Sequence, residues 1–199
     1  MNPELGRPGA GLPFLEKLLG RYWYMPRDSR QRSDADLQQI FASNGRRALD
    51  AARALSTEDL HRRVLIDRFQ GIEDSSRYWS VAMTLDHLII VGEKIAEMMI
   101  RLSRGETVTE EVDIAKVKPP VPEAPTREIL DRFEQFLSAV PDRLEREWKK
   151  RDSAHAHRHP WFGRLTAHQW HWILAVHQRT HRAQTQKIIA GLVSQSSSS

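Results

Sequence analysis

The chain has 199 residues, of which 40% are hydrophobic and 28% are charged, proportions typical of a globular domain and not of a disordered chain. It contains no cysteine, which excludes disulfides, thiolate zinc sites and a cysteine nucleophile and leaves histidine and carboxylate side chains as the strong metal ligands. The formal net charge is +4, but the basic residues are dispersed among acidic ones, so nucleic acid is not an expected partner.

The sequence shows no export signal and no membrane span. The N-terminal residues MNPELGRPGAG have no basic segment followed by an apolar one, as a secretory signal would. The most apolar internal stretch, residues 87–102, is interrupted by Glu93, Lys94 and Glu97, and such charges are not expected in a membrane span. We therefore expect a cytoplasmic protein with no membrane-spanning segment.

Residues 1–33 are predicted to be an extension that precedes the main domain. Its central sequence FLEKLLGRYWYM has the spacing of a short amphipathic helix, which would cover a groove or complete a homodimer. The first long helix is predicted to begin at Ser33 or Asp34, which serve as the N-cap, and to end near Leu55. Polar clusters and a glycine predict a connection over 56–75 with one short helical turn.

The second long helix is predicted over 76–102, and its apolar face includes His87. The next segment, 103–125, ends in four prolines and is long enough, at about 3.3 Å per residue, to run beside a whole helix of roughly 40 Å. Helices two and three would then be parallel. The third helix is predicted from Thr126 to about Lys150, with a kink at Pro141.

The fourth helix is predicted from Thr166 to about Val193, and Thr166 and Gln169 have the spacing of a capping box. We find no convincing alternating strand, so we predict an all-α fold: a four-helix bundle over 34–193. The serine-rich tail, 194–199, is predicted to be disordered.

Two histidines on the fourth helix are the most informative feature of the sequence. His177 and His181 are four residues apart, so both imidazoles can reach one point on the same helical face. Two polar rings on an apolar face need a partner or a metal. That face also carries the residues Trp170, Ile173, Leu174, Gln184 and Ile188.

His87 lies at a matching depth in the second helix. At 1.5 Å per residue it is about 16 Å from the start of its helix, and His177 and His181 are about 15 to 22 Å from the start of theirs. Three neutral imidazoles at mid-depth would leave coordination positions open, as in a catalytic metal site. Zinc or nickel suits such ligands better than magnesium or calcium.

The sequence leaves two interpretations open for the cluster and for several residues near it. The cluster could instead be an empty site in which the histidines bond one another, Thr84 or Gln184. Gln184 is either an ordinary interior amide or a residue that orients His181 or binds substrate. Trp170 either lines a pocket or belongs to the core.

The remaining histidines are predicted to lie outside this site. His155, His157 and His159 alternate in the link before the fourth helix, and a second metal site there is not expected. His168 and His171 point away from the His177 face and are predicted near the surface or the site mouth.

No catalytic carboxylate can be assigned from the sequence. Asp86 and Glu93 project away from the histidine face by helical spacing, so no general base is predicted. The sequence also lacks the serine nucleophile motif of hydrolases and any phosphate-binding glycine loop.

Three motifs together resemble the DinB/YfiT-like superfamily: HPWFGRLT at 159–166, WHWILAVHQRTHRAQ at 170–184 and LDHL at 85–88. The resemblance covers about residues 34–193. It implies an up-down-down-up four-helix bundle with a long crossover between helices two and three. It also implies a divalent metal bound by one histidine of helix two and two of helix four, which here are His87, His177 and His181.

The resemblance implies two kinds of activity on a small-molecule substrate. One is metal-dependent hydrolysis, and the other is transfer of a low-molecular-weight thiol cosubstrate to an electrophile. Two alternatives from other classes remain open. The chain could be a non-catalytic, stress-associated protein that keeps the metal for stability, or an interaction module that binds a partner through its N-terminal aromatic segment.

Overall fold

The computed structural model describes residues 3–121, 125–150 and 153–196 and is predominantly helical. Its helices are α1 Phe14–Leu19, α2 Met25–Gln31, α3 Asp34–Arg53, α4 Thr57–His61, α5 Val81–Ser103, α6 Glu128–Glu147 and α7 Ala167–Ser196. A π-helical turn, Gly20–Tyr24, joins α1 to α2, and 3-10 turns occupy Asp74–Ser76 and Ala115–Val117. The strands are β1 Val64–Leu65, β2 Tyr78–Trp79, β3 Ala156–His159 and β4 Gly163–Thr166.

The four long helices form the core by pairwise packing. Both α6 and α7 contact α3 and α5, so each helix has two long neighbours. The largest fully buried side chains include Phe41, Phe133 and Trp172, one from each of three helices. Gly92 allows α5 to approach α6 closely, because a Cβ there would lie 2.3 Å from the ring of Phe136.

Local capping explains where three of the long helices begin. Ser33 and Asp36 form a capping box at the start of α3, as predicted. Thr166 donates its backbone N–H to Gln169 Oε1 (3.0 Å) ahead of α7, which confirms the second predicted box. The Ser80 hydroxyl accepts from the backbone N–H of Met83 (3.1 Å), so α5 begins five residues later than the predicted position 76.

The expectation of no strands was wrong at two places. β1 and β2 form one short antiparallel pair, and β3 and β4 form another where the sequence analysis expected an irregular link. In β3 the side chains of His157 and His159 are buried while Arg158 is exposed, the period-two pattern of a half-buried strand. The turn closes at Gly163, whose φ of 81° favours glycine.

The crossover between α5 and α6 passes along α5 and brings its backbone to the histidine face. Within its described part, Val117 is buried and its carbonyl accepts a hydrogen bond from His87. The proline-rich end of the crossover includes Pro122, which lies outside the described residues.

The N-terminal extension is more helical than expected. α1, the π-helical turn and α2 follow one another without a break, and α2 contacts α7. The indole N–H of Trp172 donates to the carboxylate of Asp28 (2.7 Å). At the other end of the chain α7 continues through Ser196, and residues 197–199 of the tail predicted to be disordered lie outside the described residues.

None of the described helices combines the length and the apolar character needed to cross a membrane.

Candidate metal centre

The packing of α5 against α7 brings His87, His177 and His181 together. One nitrogen from each ring lies within 4.8 Å of the other two, and no other group of three metal-binding side chains occurs in the described residues. The Nε2 atoms of His87 and His177 are 3.1 Å apart. Two imidazole nitrogens on one tetrahedral zinc would be roughly 3.3 Å apart, given zinc–nitrogen bonds near 2.0–2.1 Å. The spacing of the His87 and His177 donors therefore fits a first-row divalent metal.

Hydrogen bonds behind two of the rings orient their lone pairs toward the centre. The Nδ1–H of His87 donates to the Val117 carbonyl (2.8 Å), and that of His181 donates to Gln184 Oε1 (2.6 Å). The orientation of the Gln184 amide is set in turn, because its Nε2 donates to the Ser76 carbonyl (2.7 Å). Since both partners of the rings are acceptors, each neutral ring keeps its lone pair on Nε2, the nitrogen that faces the centre, where that of His87 accepts from His177 Nε2 in the absence of metal.

The surroundings also keep these rings neutral. Burial, with a further contribution from neighbouring histidines, lowers the pKa of His87 and of His177 well below the ordinary range. Burial lowers the pKa of His181 to about 4, although its hydrogen bond to Gln184 opposes the shift. At neutral pH all three imidazoles are therefore unprotonated and available as ligands.

A cavity of about 590 Å³ adjoins the three histidines. Trp170, expected either in a pocket or in the core, is buried and also lines this cavity. The aliphatic part of the wall consists of Ile72, Val91, Ile95, Met98, Val108, Val112, Ile114, Val117 and Ile173. A cavity with apolar walls and a few polar groups is the usual form of a small-molecule site.

A buried ion pair between Glu73 and Lys118 forms part of the same wall. The Glu73 carboxylate accepts hydrogen bonds from Lys118, the backbone N–H of Gly11 (2.7 Å) and the Ser75 hydroxyl (2.8 Å). Burial alone would raise the pKa of Glu73, but these hydrogen bonds hold it below the usual value. Burial lowers the pKa of Lys118. Lys118 also donates to the Ser76 hydroxyl (2.7 Å).

Trp79 connects this ion pair to the histidines. Its ring stacks on His181 with centroids 6.1 Å apart, and the ammonium of Lys118 lies 5.3 Å from its centre. Sequence reasoning missed Glu73 and Lys118, because both lie in connecting segments whose hydrophobic periodicity marks no face. The nearest available signal was a single acidic residue in the turn-rich segment before β2.

The second histidine group on α7 is separate from the cavity. His171 is only 1% exposed, so its predicted position near the surface was wrong. His168 Nδ1 lies 2.9 Å from Asp34 Oδ1, and its Nε2 lies 2.9 Å from the Ser29 carbonyl. Both of these partners are acceptors, so the His168 ring bonds both of them only when it is protonated.

The other predicted positions have mixed outcomes. His155 is exposed, whereas His157 and His159 are buried in the hairpin. Asp86 points away from the histidines to Arg132 (3.0 Å), and Glu93 is exposed at the edge of the cavity.

Comparison with known proteins gives one match. A family model described as the DinB superfamily matches residues 27–185, a range that contains all three histidines and excludes most of the N-terminal extension. No curated protein and no solved structure has significant similarity to the chain. Since the matched range is most of the chain, this protein belongs to the DinB superfamily.

Proposed function

We propose that this protein is a divalent-metal-dependent enzyme that acts on a small molecule, as a hydrolase or as a transferase of a low-molecular-weight thiol. His87, His177 and His181 are the proposed ligands, held in an up-down-down-up four-helix bundle. The observation that carries the proposal is the convergence of three ring nitrogens within 4.8 Å on the wall of an apolar cavity of about 590 Å³. A closed structural site would not adjoin such a cavity.

The donor set favours zinc or nickel, because neutral imidazoles without a carboxylate suit these ions better than magnesium or calcium. Three protein ligands leave positions for water or substrate. Such a metal supplies a lowered pKa to a bound water or thiol, and so a nucleophile at neutral pH.

The chain's own residues have distinct roles in this proposal. Gln184 holds His181, and the Val117 carbonyl holds His87, so both rings present their lone pairs. Lys118 offers its third N–H to an oxygen of the substrate, because Glu73 and the Ser76 hydroxyl accept from the other two. Trp170 and the aliphatic wall exclude water from the reacting groups. Glu73 holds Lys118 and does not act as a base, because its carboxylate already accepts three hydrogen bonds.

One observation favours a second function, that of a non-catalytic metal-binding protein. Among the described residues lining the cavity, the buried carboxylate is that of Glu73, and it is engaged by Lys118. A protein without turnover would still show metal-dependent melting. Assays with activated esters, and with electrophiles plus a thiol cosubstrate, distinguish the two functions once metal binding is established.

We also propose that the protein is a cytoplasmic homodimer that pairs through the N-terminal helix. Seven large apolar side chains of this segment are exposed: Phe14, Leu15, Leu18, Leu19, Tyr22, Trp23 and Tyr24. Aromatic side chains bury roughly 150–250 Å² each, so such a face approaches the roughly 800 Å² per partner of a stable interface. Light scattering of a Leu15→Glu, Trp23→Glu variant tests this, and an unchanged mass would contradict it.

Elemental analysis of the purified, untagged protein tests the metal centre. We expect about one equivalent of zinc or nickel per chain and its loss in His177→Ala. His155→Ala is the matched control, because His155 is exposed and outside the cluster. Wild-type protein that holds no metal even after reconstitution would overturn the proposed function.

A further inference from the structure

His159 lines the cavity next to the three-histidine group but does not belong to it. It is 7% exposed, and its position on β3 is fixed by the hairpin. The ring packs among Phe162, Trp170 and Trp161, with centroid distances of 4.9, 5.2 and 5.8 Å. Such packing leaves the imidazole little freedom to rotate.

One hydrogen bond determines which nitrogen of His159 is protonated. The backbone N–H of Trp161 donates to His159 Nδ1 (3.1 Å), so Nδ1 must carry the lone pair. The single proton of the neutral ring is then on Nε2. Burial lowers the pKa of His159 to about 3, so the ring keeps this tautomer throughout the physiological pH range.

The Nε2–H donor has no acceptor among the described residues, although the ring is buried. Because the ring lines the cavity, an oxygen of a molecule bound there can accept this hydrogen bond. Two donors then flank the metal centre. Lys118 and His159 both line the cavity that the three histidines border.

We propose that His159 is a substrate-binding residue whose Nε2–H donates a hydrogen bond to an oxygen of the substrate beside the metal centre. This inference rests on the proposed function. It specifies the substrate class as a small molecule with an apolar body and a carbonyl or carboxylate oxygen next to the reacting group. A neutral donor suits this role because it polarises an oxygen without adding a positive charge close to a bound cation.

The tautomer is tested first, in the metal-free protein. Long-range ¹⁵N–¹H NMR should show, besides the signal of His177, whose Nε2–H faces His87 Nε2, a second histidine with a protonated Nε2 and an unprotonated Nδ1 that does not change from pH 5 to pH 8. That signal should be missing from the spectrum of His159→Asn. A ring protonated on Nδ1, or one that titrates near pH 6.5, would overturn the inference.

Substrate-oxygen binding is tested with Co²⁺-loaded protein and acetohydroxamate, followed by visible absorption. The His159→Asn side chain keeps an acceptor for the Trp161 N–H but withdraws the donor, and we expect about tenfold weaker binding, the size of one hydrogen bond to a charged acceptor. The His159→Gln side chain returns an N–H near the Nε2 position and should recover most of the affinity. His155→Asn, from the same hairpin region, should bind like wild type.

The outcomes separate this inference from the proposed function. Wild-type protein that binds no Co²⁺ overturns both. If the metal binds but acetohydroxamate binds equally well to wild type and to His159→Asn, only the role of His159 is overturned. Loss of Co²⁺ in His159→Gln would show that His159 supports the metal site itself, and would also overturn its role as a substrate donor.

Discussion

Helix α7 carries two histidine groups whose environments differ in kind. His177 and His181 face His87, and the partners behind the His87 and His181 rings are neutral carbonyl groups. His168, about two and a half turns before His177, bonds the Asp34 carboxylate. Burial lowers the pKa of His181, whereas the hydrogen bond to Asp34 raises that of His168 against burial. The charge of the acceptor therefore decides whether an imidazole offers a lone pair or a positive charge.

The two groups also differ in what they connect. The His168 ring joins Ser29 of α2 and Asp34 of α3 to the start of α7, so it attaches the N-terminal extension to the core. His87, His177 and His181 instead border a cavity. We therefore expect changes at His168 to lower stability without affecting metal binding. Changes at His177 should instead remove metal binding.

The largest expected effect is that of metal on stability. Zinc at about 1,000 times its Kd should raise the free energy of unfolding by about 4 kcal/mol, because it binds only the folded site. Thermal melting with and without a chelator measures the change. His177→Ala should show no shift on adding zinc, and His168→Ala should keep the full shift. A zinc shift retained in His177→Ala would mean that the metal binds elsewhere.

Acid should destabilise the metal-free protein by protonating the histidines of the candidate metal centre. Because the pKa values of His87 and His181 are lowered on folding, the unfolded chain binds more protons below pH 6.5. Stability is then lost as the pH falls from 7 to 5, by about 2 kcal/mol for each of these residues. Urea unfolding at both pH values measures the loss.

A variant assigns that loss to a particular ring. His181→Gln has no proton to gain, so we expect its loss between pH 7 and pH 5 to be smaller than that of wild type by about 2 kcal/mol. His155→Gln changes an exposed histidine and should behave like wild type. Equal losses in wild type and His181→Gln would contradict the neutral state of the cluster.

Removing the charge behind His168 should have an intermediate effect. Burial alone would raise the pKa of Asp34, but hydrogen bonds from His168 and His171 hold it well below its usual range. Asp34→Asn should therefore destabilise the protein by about 2 kcal/mol at pH 6, the size of a charge-assisted hydrogen bond. Asp50→Asn is the control, because Asp50 is exposed on the same helix. An unchanged metal content in both variants would show that the His168 group does not contribute to metal binding.

The long helices and the histidine cluster could be predicted from the sequence for the same reason, because both follow from the spacing of residues within individual helices. The capping box at Ser33 and Asp36 and the i, i+4 pair His177 and His181 are local patterns. The matching depth of His87 needed only the helical rise per residue. Such features do not depend on how distant segments pack.

The polar wall of the cavity could not be predicted in this way. Lys118 meets Glu73 only because the crossover runs along α5, and no periodic pattern determines the path of an irregular segment. The buried state of His171 was missed because its ring packs against Trp148 (5.1 Å between centroids) and lies 3.4 Å from Asp34, and periodicity along one helix does not indicate such contacts with other elements. The hairpin was missed because its alternation spans only four residues per strand.

The smallest expected effect is the loss of folding stability at alkaline pH, when His168 loses its proton. The pKa of His168 is raised on folding, so the folded protein binds the extra proton. Its contribution is complete below pH 6.5 and is lost as the pH rises through the raised value. Because His168 is partly exposed, we expect the loss by pH 9 to be about 1 kcal/mol. Metal-free wild type should lose this stability on urea unfolding, and His168→Gln should not. An equal loss in both proteins would show that His168 is neutral in the folded state. The difference between carbonyl and carboxylate partners would then not separate the histidines of α7 into two charge states.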